Sequence, residues 1–118
     1  MCLLKNSLIT HKCLLQSCLL QLSLTNKREI YHDYKSCSLD IFTDSYEILG
    51  ENICNELIFL HQEFHSVVEK TNSFIRDKNN AISGQIFHLE NIFLKMEELL
   101  SPTLEKCKHE CILNFECQ

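Results

Sequence analysis

Apolar residues recur three and four positions apart along the stretch from Leu39 to Leu100. Nothing in this stretch alternates with a period of two, so the pattern predicts helix and not strand. Spacing of this kind aligns the side chains in one stripe, as in coiled coils. A single helix cannot cover such a stripe by itself, so the pattern predicts packing against other helices. The stripe, called the seam below, comprises Phe42, Tyr46, Leu49, Ile53, Leu57, Leu60, Phe64, Val67, Thr71 (its one polar member), Ile75, Ile82, Ile86, Leu89, Phe93, Met96 and Leu99.

A polar run, Arg76–Asn80, interrupts the seam, and Gly84 follows it. A continuous helix here bears two Asn and one Gly, at a cost of about 2 kcal/mol relative to Ala. Burial of the seam on each side offsets that cost, at about 1.5–3 kcal/mol for each large side chain. We therefore favour one long helix over residues 39–100 with a weak point near 76–84. A hairpin of two helices is the alternative.

Both ends of the predicted helix carry recognisable boundary residues. Good capping residues precede the seam, namely Ser36, Ser38 and Asp40. At the other end, Ser101 followed by Pro102 is typical of a capping residue and the first position of a new helix. The predicted fold class is therefore all-α. It consists of one long amphipathic coiled-coil-type helix, which can break near 76–84, plus a short C-terminal helix over residues 101–116.

The composition narrows both the fold class and the choice of partner. Two glycines and one proline leave few residues for turns, which argues against a sandwich, a barrel or a doubly wound α/β sheet. The net charge of −5 argues against binding to nucleic acid. Residues 1–28 carry four bases and no acid, and residues 29–118 carry seven bases and sixteen acids. The front of the chain, at +4, therefore differs in character from the body, at −9.

The front segment, residues 1–28, contains the apolar run Cys13–Leu24. A run of twelve residues is too short to span a bilayer as a helix, which needs about 20. Its length suits the hydrophobic part of a signal peptide, but Gln16 and Gln21 interrupt it and no typical cleavage site follows. We expect residues 1–28 to form a leader or a poorly ordered segment, with a secretory signal or a short helix as alternatives.

Two groups of side chains have spacings that suit metal binding. His61 and His65 lie one turn apart on the predicted helix, a spacing that can bind zinc. Without Glu directly after His61 they do not form the metalloprotease motif, and we expect two solvated histidines beside the seam. The second group is Cys107, His109, Cys111 and Cys117. It lacks the second half of a zinc site at the usual spacing, so packing is the simpler interpretation.

No motif of a known enzyme class occurs in the sequence. Neighbouring carboxylates such as Glu97 and Glu98 point in different directions on a helix. We therefore expect no enzyme and no catalytic, cofactor-binding or metal-binding residues. We also expect no cofactor, small-molecule substrate or nucleic-acid partner.

Two blocks of the sequence resemble the Muted family, which forms a subunit of the biogenesis-of-lysosome-related-organelles complex. The first is Glu56–Phe64, ELIFLHQEF, which is similar to a segment that opens a long helix in that family. The second runs from Leu89–Ile92 through Glu98 to Thr103–Lys108, in the same register as in the family. Together they span roughly residues 39–111.

The resemblance implies a non-enzymatic scaffold subunit that packs against other small helical subunits. Such a protein acts in endosomal cargo trafficking and the formation of lysosome-related organelles such as melanosomes. It is cytoplasmic and reaches the endosomal membrane peripherally, through its complex. The residues expected to bind partners are Leu57, Phe59, Leu60, Phe64, Leu89, Ile92 and Met96.

Two alternatives to this function stay open. The segment Arg28–Tyr34 and the apolar pattern of Ile82–Glu97 also resemble the Brick-type subunit of actin-nucleation regulatory complexes. The other alternative is a secreted, disulfide-bonded, cytokine-like helical ligand, which requires paired cysteines and a compact bundle. For the scaffold, in contrast, we expect a chain that alone is partly ordered or self-associated, because its seam is left uncovered.

Overall fold

The computed structural model describes residues 3–31 and 49–107, with the side chains of residues 3–5, 104, 106 and 107 left aside. Over this part the chain is all-helical, as predicted. Its three helices are α1 (Leu3–Gln21), α2 (Glu51–Arg76) and α3 (Ile82–Cys107). The following predictions lie outside the described residues: the caps at Ser36, Ser38 and Asp40, seam positions Phe42 and Tyr46, and the groups at His109, Cys111 and Cys117.

The predicted long helix is divided in two, so the favoured continuous form is wrong and the hairpin alternative holds. Helix α2 ends at Arg76 and α3 begins at Ile82. At the end of α2 the N–H of Asn79 donates to the carbonyl of Phe74 (2.8 Å) and that of Lys78 to Ile75 (3.2 Å). Lys78 has φ 54°, in the left-handed region. This is the Schellman arrangement, which satisfies the last carbonyls of a helix.

The turn is completed by Asn79, whose side-chain oxygen accepts a hydrogen bond from the N–H of Ala81 at 2.8 Å. Such local side-chain bonds are the reason Asn favours turns over helix interiors. The two Asn that would cost stability inside a helix thus lie in the turn, where the side chain of Asn79 forms a stabilising hydrogen bond.

The predicted start of a new helix at Ser101–Pro102 is wrong, because α3 continues through both residues to Cys107, the last residue that the structure describes. Proline inside a helix removes one backbone hydrogen bond and crowds the preceding turn. Here only five residues of α3 follow Pro102, so the loss falls on the last part of the helix. Ser101–Pro102 is compatible with a helix start but does not by itself end the helix before it.

The seam is covered within the chain itself. The hairpin lays its two halves against each other, and α1 adds a third wall with Leu8, Leu15 and Cys18. The expectation that the seam would lie uncovered in the isolated chain is thus wrong, because the turn lets one half bury the other. The buried members of the seam in the described residues are Leu49, Leu57, Leu60, Phe64, Val67, Thr71, Ile82, Ile86, Leu89, Phe93 and Met96.

The segment that follows α1 is attached to α2 by buried hydrogen bonds. The side chain of Asn72 accepts from the N–H of Ile30 at 2.6 Å and donates to its carbonyl at 2.8 Å. Arg76 forms an ion pair with Glu29 next to this contact. Both backbone groups of Ile30 are therefore satisfied inside the protein, which allows Ile30 to enter the core.

We expect Lys78→Gly to stabilise the protein. A residue with a β-carbon in the left-handed region costs about 1–2 kcal/mol. Glycine adopts this conformation without strain, but it raises the conformational entropy of the unfolded chain, which reduces the gain. The net expected gain is about 0.5–1 kcal/mol in the free energy of unfolding, measured by urea denaturation. Lys78→Ala is the matched control, since it removes the same side chain but keeps the β-carbon. An equal gain in both variants would contradict the explanation.

Candidate functional site

Three histidines meet in the interior where α1 packs on α2. His11 comes from α1, and His61 and His65 lie one turn apart on α2. Their side chains are 2%, 0% and 2% exposed, respectively. We call these three residues the histidine cluster. The prediction that His61 and His65 are solvated is therefore wrong: α1 covers them.

The ring nitrogens of the cluster converge. The Nε2 atom of His65 lies 3.3 Å from Nε2 of His11 and 3.2 Å from Nε2 of His61. One nitrogen from each of the three rings lies within 4.8 Å of the others. The rings meet edge to face, with centroids 4.5 to 5.3 Å apart. The cluster thus presents three nitrogen atoms to one point.

A backbone hydrogen bond determines which nitrogen of His11 carries a proton. Nδ1 of His11 lies 2.7 Å from the carbonyl oxygen of Ser7. A carbonyl only accepts, so Nδ1 carries the hydrogen and donates it. In the neutral ring the other nitrogen, Nε2, then has its lone pair directed at the cluster.

The surroundings favour the neutral form of His11 and His61, because burial lowers the pKa of each. Burial lowers the pKa of His11, and the hydrogen bond to Ser7 opposes this only in part. Burial also lowers the pKa of His61 to about 3, with a further lowering by the charges that His11 and His65 would carry. Phe64 packs its ring against His11, with centroids 5.2 Å apart, and adds an apolar wall. Neutral imidazoles of this kind are the form that binds metal ions.

The proton arrangement follows from the lone pair on His11. The contact with His65 requires a hydrogen on Nε2 of His65, because Nε2 of His11 has none. The same hydrogen of His65 lies between the rings of His11 and His61. The Nε2 atom of His61 must therefore accept it with a lone pair. One proton therefore serves two acceptors in the neutral cluster, at distances longer than the usual 2.9–3.0 Å of a hydrogen bond.

His11 is the member that sequence reasoning missed. The pair on α2 was visible from its spacing, but His11 lies 50 residues before His61. A usable signal exists in α1, where Leu8, His11, Leu15 and Cys18 follow the spacing of one helix face and all four are buried. A histidine on the apolar face of an amphipathic helix needs a polar partner in the core.

The residues predicted to bind partners fall into two groups. Only Phe59 is on the surface, with 63% of its side chain exposed. The other six are used within the chain's own core, because the hairpin turns their faces toward each other. They are Leu57, Leu60, Phe64, Leu89, Ile92 and Met96.

A shallow groove of about 370 Å³ runs along the surface between α2 and α3. Nε2 of His88 and Oε1 of Glu63 lie 3.1 Å apart across it. Exposed large apolar side chains on the hairpin are Phe59 (63%), Phe87 (59%) and Leu94 (51%). We call the groove of about 370 Å³ the hairpin groove. It is lined by Leu60, Glu63, His88, Asn91, Ile92, Leu94, Lys95 and Glu98.

The cysteines of the described region differ in state. Cys13 is disulfide-bonded. Cys18 is a completely buried thiol, and burial raises its pKa to about 12. Burial also raises the pKa of Cys54. A thiol with a raised pKa is a poor nucleophile at neutral pH, so neither Cys18 nor Cys54 suits a catalytic role.

No known protein family, curated protein or solved structure matches this chain. None of the described helices has an apolar stretch long enough to cross a bilayer.

Metal-free protein, kept in a chelator, should lose stability in acid. His61 has a pKa of about 3 when folded and 6.5 when unfolded. Between these values the unfolded chain binds a proton that the folded chain does not, so stability falls as the pH falls through this window. We expect a loss of about 2 kcal/mol between pH 7 and pH 5, measured by urea denaturation.

His61→Phe, which keeps a buried ring without a titrating nitrogen, should flatten this pH dependence. His88→Gln is the control, since His88 is exposed on the surface. An equally steep loss of stability in His61→Phe and wild type would show that the buried imidazole is not its source.

Proposed function

We propose that this protein is a non-enzymatic helical subunit that binds a partner protein at the hairpin groove. The observation that carries the proposal is the exposure of three large apolar side chains on the hairpin: Leu94, which lines the groove, and Phe59 and Phe87, which are exposed outside its lining. Scattered single apolar residues on a surface need no explanation. Phe87 and Leu94, however, are seven residues apart on α3 and lie on the same face of that helix.

The shape and charge of the groove suit an amphipathic helix as the partner. Leu60, Ile92 and Leu94 form an apolar floor and side, which fits the helix-in-groove type of recognition. Lys95 and Glu98 lie beside them with opposite charges. Opposite charges at the rim of an interface favour one orientation and register of the bound helix.

The finer form of the proposal draws on the resemblance to the Muted family. In that form the protein is a scaffold subunit that assembles with other small helical subunits in endosomal cargo trafficking and the formation of lysosome-related organelles. It stays in the cytoplasm and reaches endosomal membranes only through its complex. A subunit of an actin-nucleation regulatory complex would use the same groove. Of the residues expected to bind partners, Leu60 and Ile92 line the groove, and Phe59 is exposed on α2.

The Cys13 disulfide favours a second candidate function, that of a secreted helical ligand. Disulfides persist mainly in oxidising compartments. A compact helical bundle stabilised by a disulfide is the arrangement that such a ligand requires. The hairpin groove would then bind a receptor instead of a sister subunit.

Affinity purification from the native cell tests the groove. Tagged wild-type chain should retain small helical proteins, identified by mass spectrometry, and Leu94→Glu and Phe59→Glu should lose them. Both side chains are exposed, so these variants should fold with an unchanged Tm. Leu20→Glu, on the 57% exposed Leu20 of α1, is the matched control and should retain the partners. Equal recovery in all variants would refute the groove as the interface.

Thiol counting on protein from its native cell separates the two candidates. A secreted ligand should show fewer than eight reactive thiols after denaturation without reductant, since Cys13 and its partner are oxidised. A cytoplasmic subunit should show all eight cysteines as reactive thiols. The count therefore rejects one candidate whichever way it falls.

A further inference from the structure

We propose that His11, His61 and His65 bind a zinc ion that fastens α1 to α2. The proposal rests on the convergence of three ring nitrogens in the interior, and it is independent of the partner bound at the hairpin groove. Two of the ligands are held one turn apart on a single helix. The third comes from a different helix, so the ion would bridge two elements that are distant in sequence.

The spacing of the nitrogens suits zinc. In a tetrahedral site with Zn–N distances of about 2.0–2.1 Å, two ligand nitrogens lie about 3.3–3.4 Å apart. The two Nε2 separations that involve His65 are 3.3 and 3.2 Å. These two separations match the edge of a zinc tetrahedron, whereas the three nitrogens together spread over up to 4.8 Å, so the rings must move closer together when an ion binds.

The hydrogen bonding of His11 also suits a ligand. Metal-binding histidines usually donate their second ring N–H to a carboxylate or a backbone carbonyl, which fixes the ring and its tautomer. His11 does this through Nδ1 and the carbonyl of Ser7, at 2.7 Å. Its Nε2 lone pair is thereby directed at the point where the other two nitrogens meet.

Zinc would take the place of the single proton that the cluster shares. On binding, the hydrogen on Nε2 of His65 moves to Nδ1 of the same ring, and all three Nε2 lone pairs coordinate the ion. The rings stay neutral and no proton is lost at neutral pH. The fourth position is left to a small ligand such as water.

A structural role follows from where the cluster lies. All three side chains are buried, so a bound ion is shielded from solvent. His11 belongs to the front of the chain and His61 and His65 to the hairpin. A zinc ion therefore joins the position of α1 to that of α2 across 50 residues of sequence.

Zinc titration of the chelator-treated full chain, followed by calorimetry and by Tm, tests the binding. We expect one ion per chain and a Tm that rises with the Zn²⁺ concentration. His65→Phe should stay folded, because the ring volume is kept, but should lose the effect of zinc on Tm. The affinity of His65→Phe for zinc should fall by more than the roughly 10–100-fold that usually follows loss of a residue hydrogen-bonded to a metal ligand. His11→Phe should behave in the same way.

His88→Gln is the matched control, because His88 is an exposed histidine near a carboxylate, and it should bind zinc as wild type does. Two results would overturn the proposed site. One is the absence of a zinc-dependent rise of Tm in the wild type. The other is equal zinc affinity in wild type, His65→Phe and His11→Phe.

Limited trypsin digestion tests the fastening role. Lys12 lies on the exposed side of α1, next to the ligand His11. Zinc should slow cleavage after Lys12 in the wild type and leave it unchanged in His65→Phe. Zinc binding without slower cleavage at Lys12 would refute the fastening role.

Discussion

The whole structure depends on one half of the apolar seam burying the other. Leu57, Leu60 and Phe64 on α2 and Ile86, Leu89 and Met96 on α3 are at most 6% exposed. Each such side chain contributes about 1.5–3 kcal/mol when removed from water. The five-residue turn at 77–81 makes this possible, because it reverses the chain while its Schellman hydrogen bonds satisfy the end of α2. A continuous helix would keep the same seam but leave it for another chain to cover.

The sequence was sufficient to predict the class of fold and the identity of the core. The spacing of three and four residues marks the face of each helix, and it names most of the buried residues of α2 and α3 correctly. It does not say which surface covers that face, since the same stripe suits a partner helix and the other arm of a hairpin equally well. That choice rests on the turn, which is stabilised by the Schellman hydrogen bonds at the end of α2 and by the Asn79 side chain, at the cost of a Lys in the left-handed region. Propensities summed along a helix do not include such contacts.

The histidine cluster was missed for a related reason. His61 and His65 have the spacing of a pair on one helix face. That face can equally be the solvent-exposed one, where histidines are common. Their burial depends on α1, which the charge and the short apolar run set apart as a different kind of segment. Ser7 and His11 lie just before that run. In the structure they form one unit, in which the Ser7 carbonyl orients the His11 ring toward α2.

The interfaces between the helices differ in kind. The interface between α2 and α3 is apolar and gains stability from area alone. Helix α1 packs mainly along α3, and its contact with α2 is made by the three imidazoles. Burying polar groups costs free energy unless their nitrogens are well matched with partners. The polar contacts behind α1, from Asn72 to Ile30 and from Arg76 to Glu29, attach the following segment to α2 independently of the cluster. The contact of α1 with α2 thus depends on the state of the histidines, whereas α1 also packs on α3, and the apolar core of the hairpin is formed by other residues.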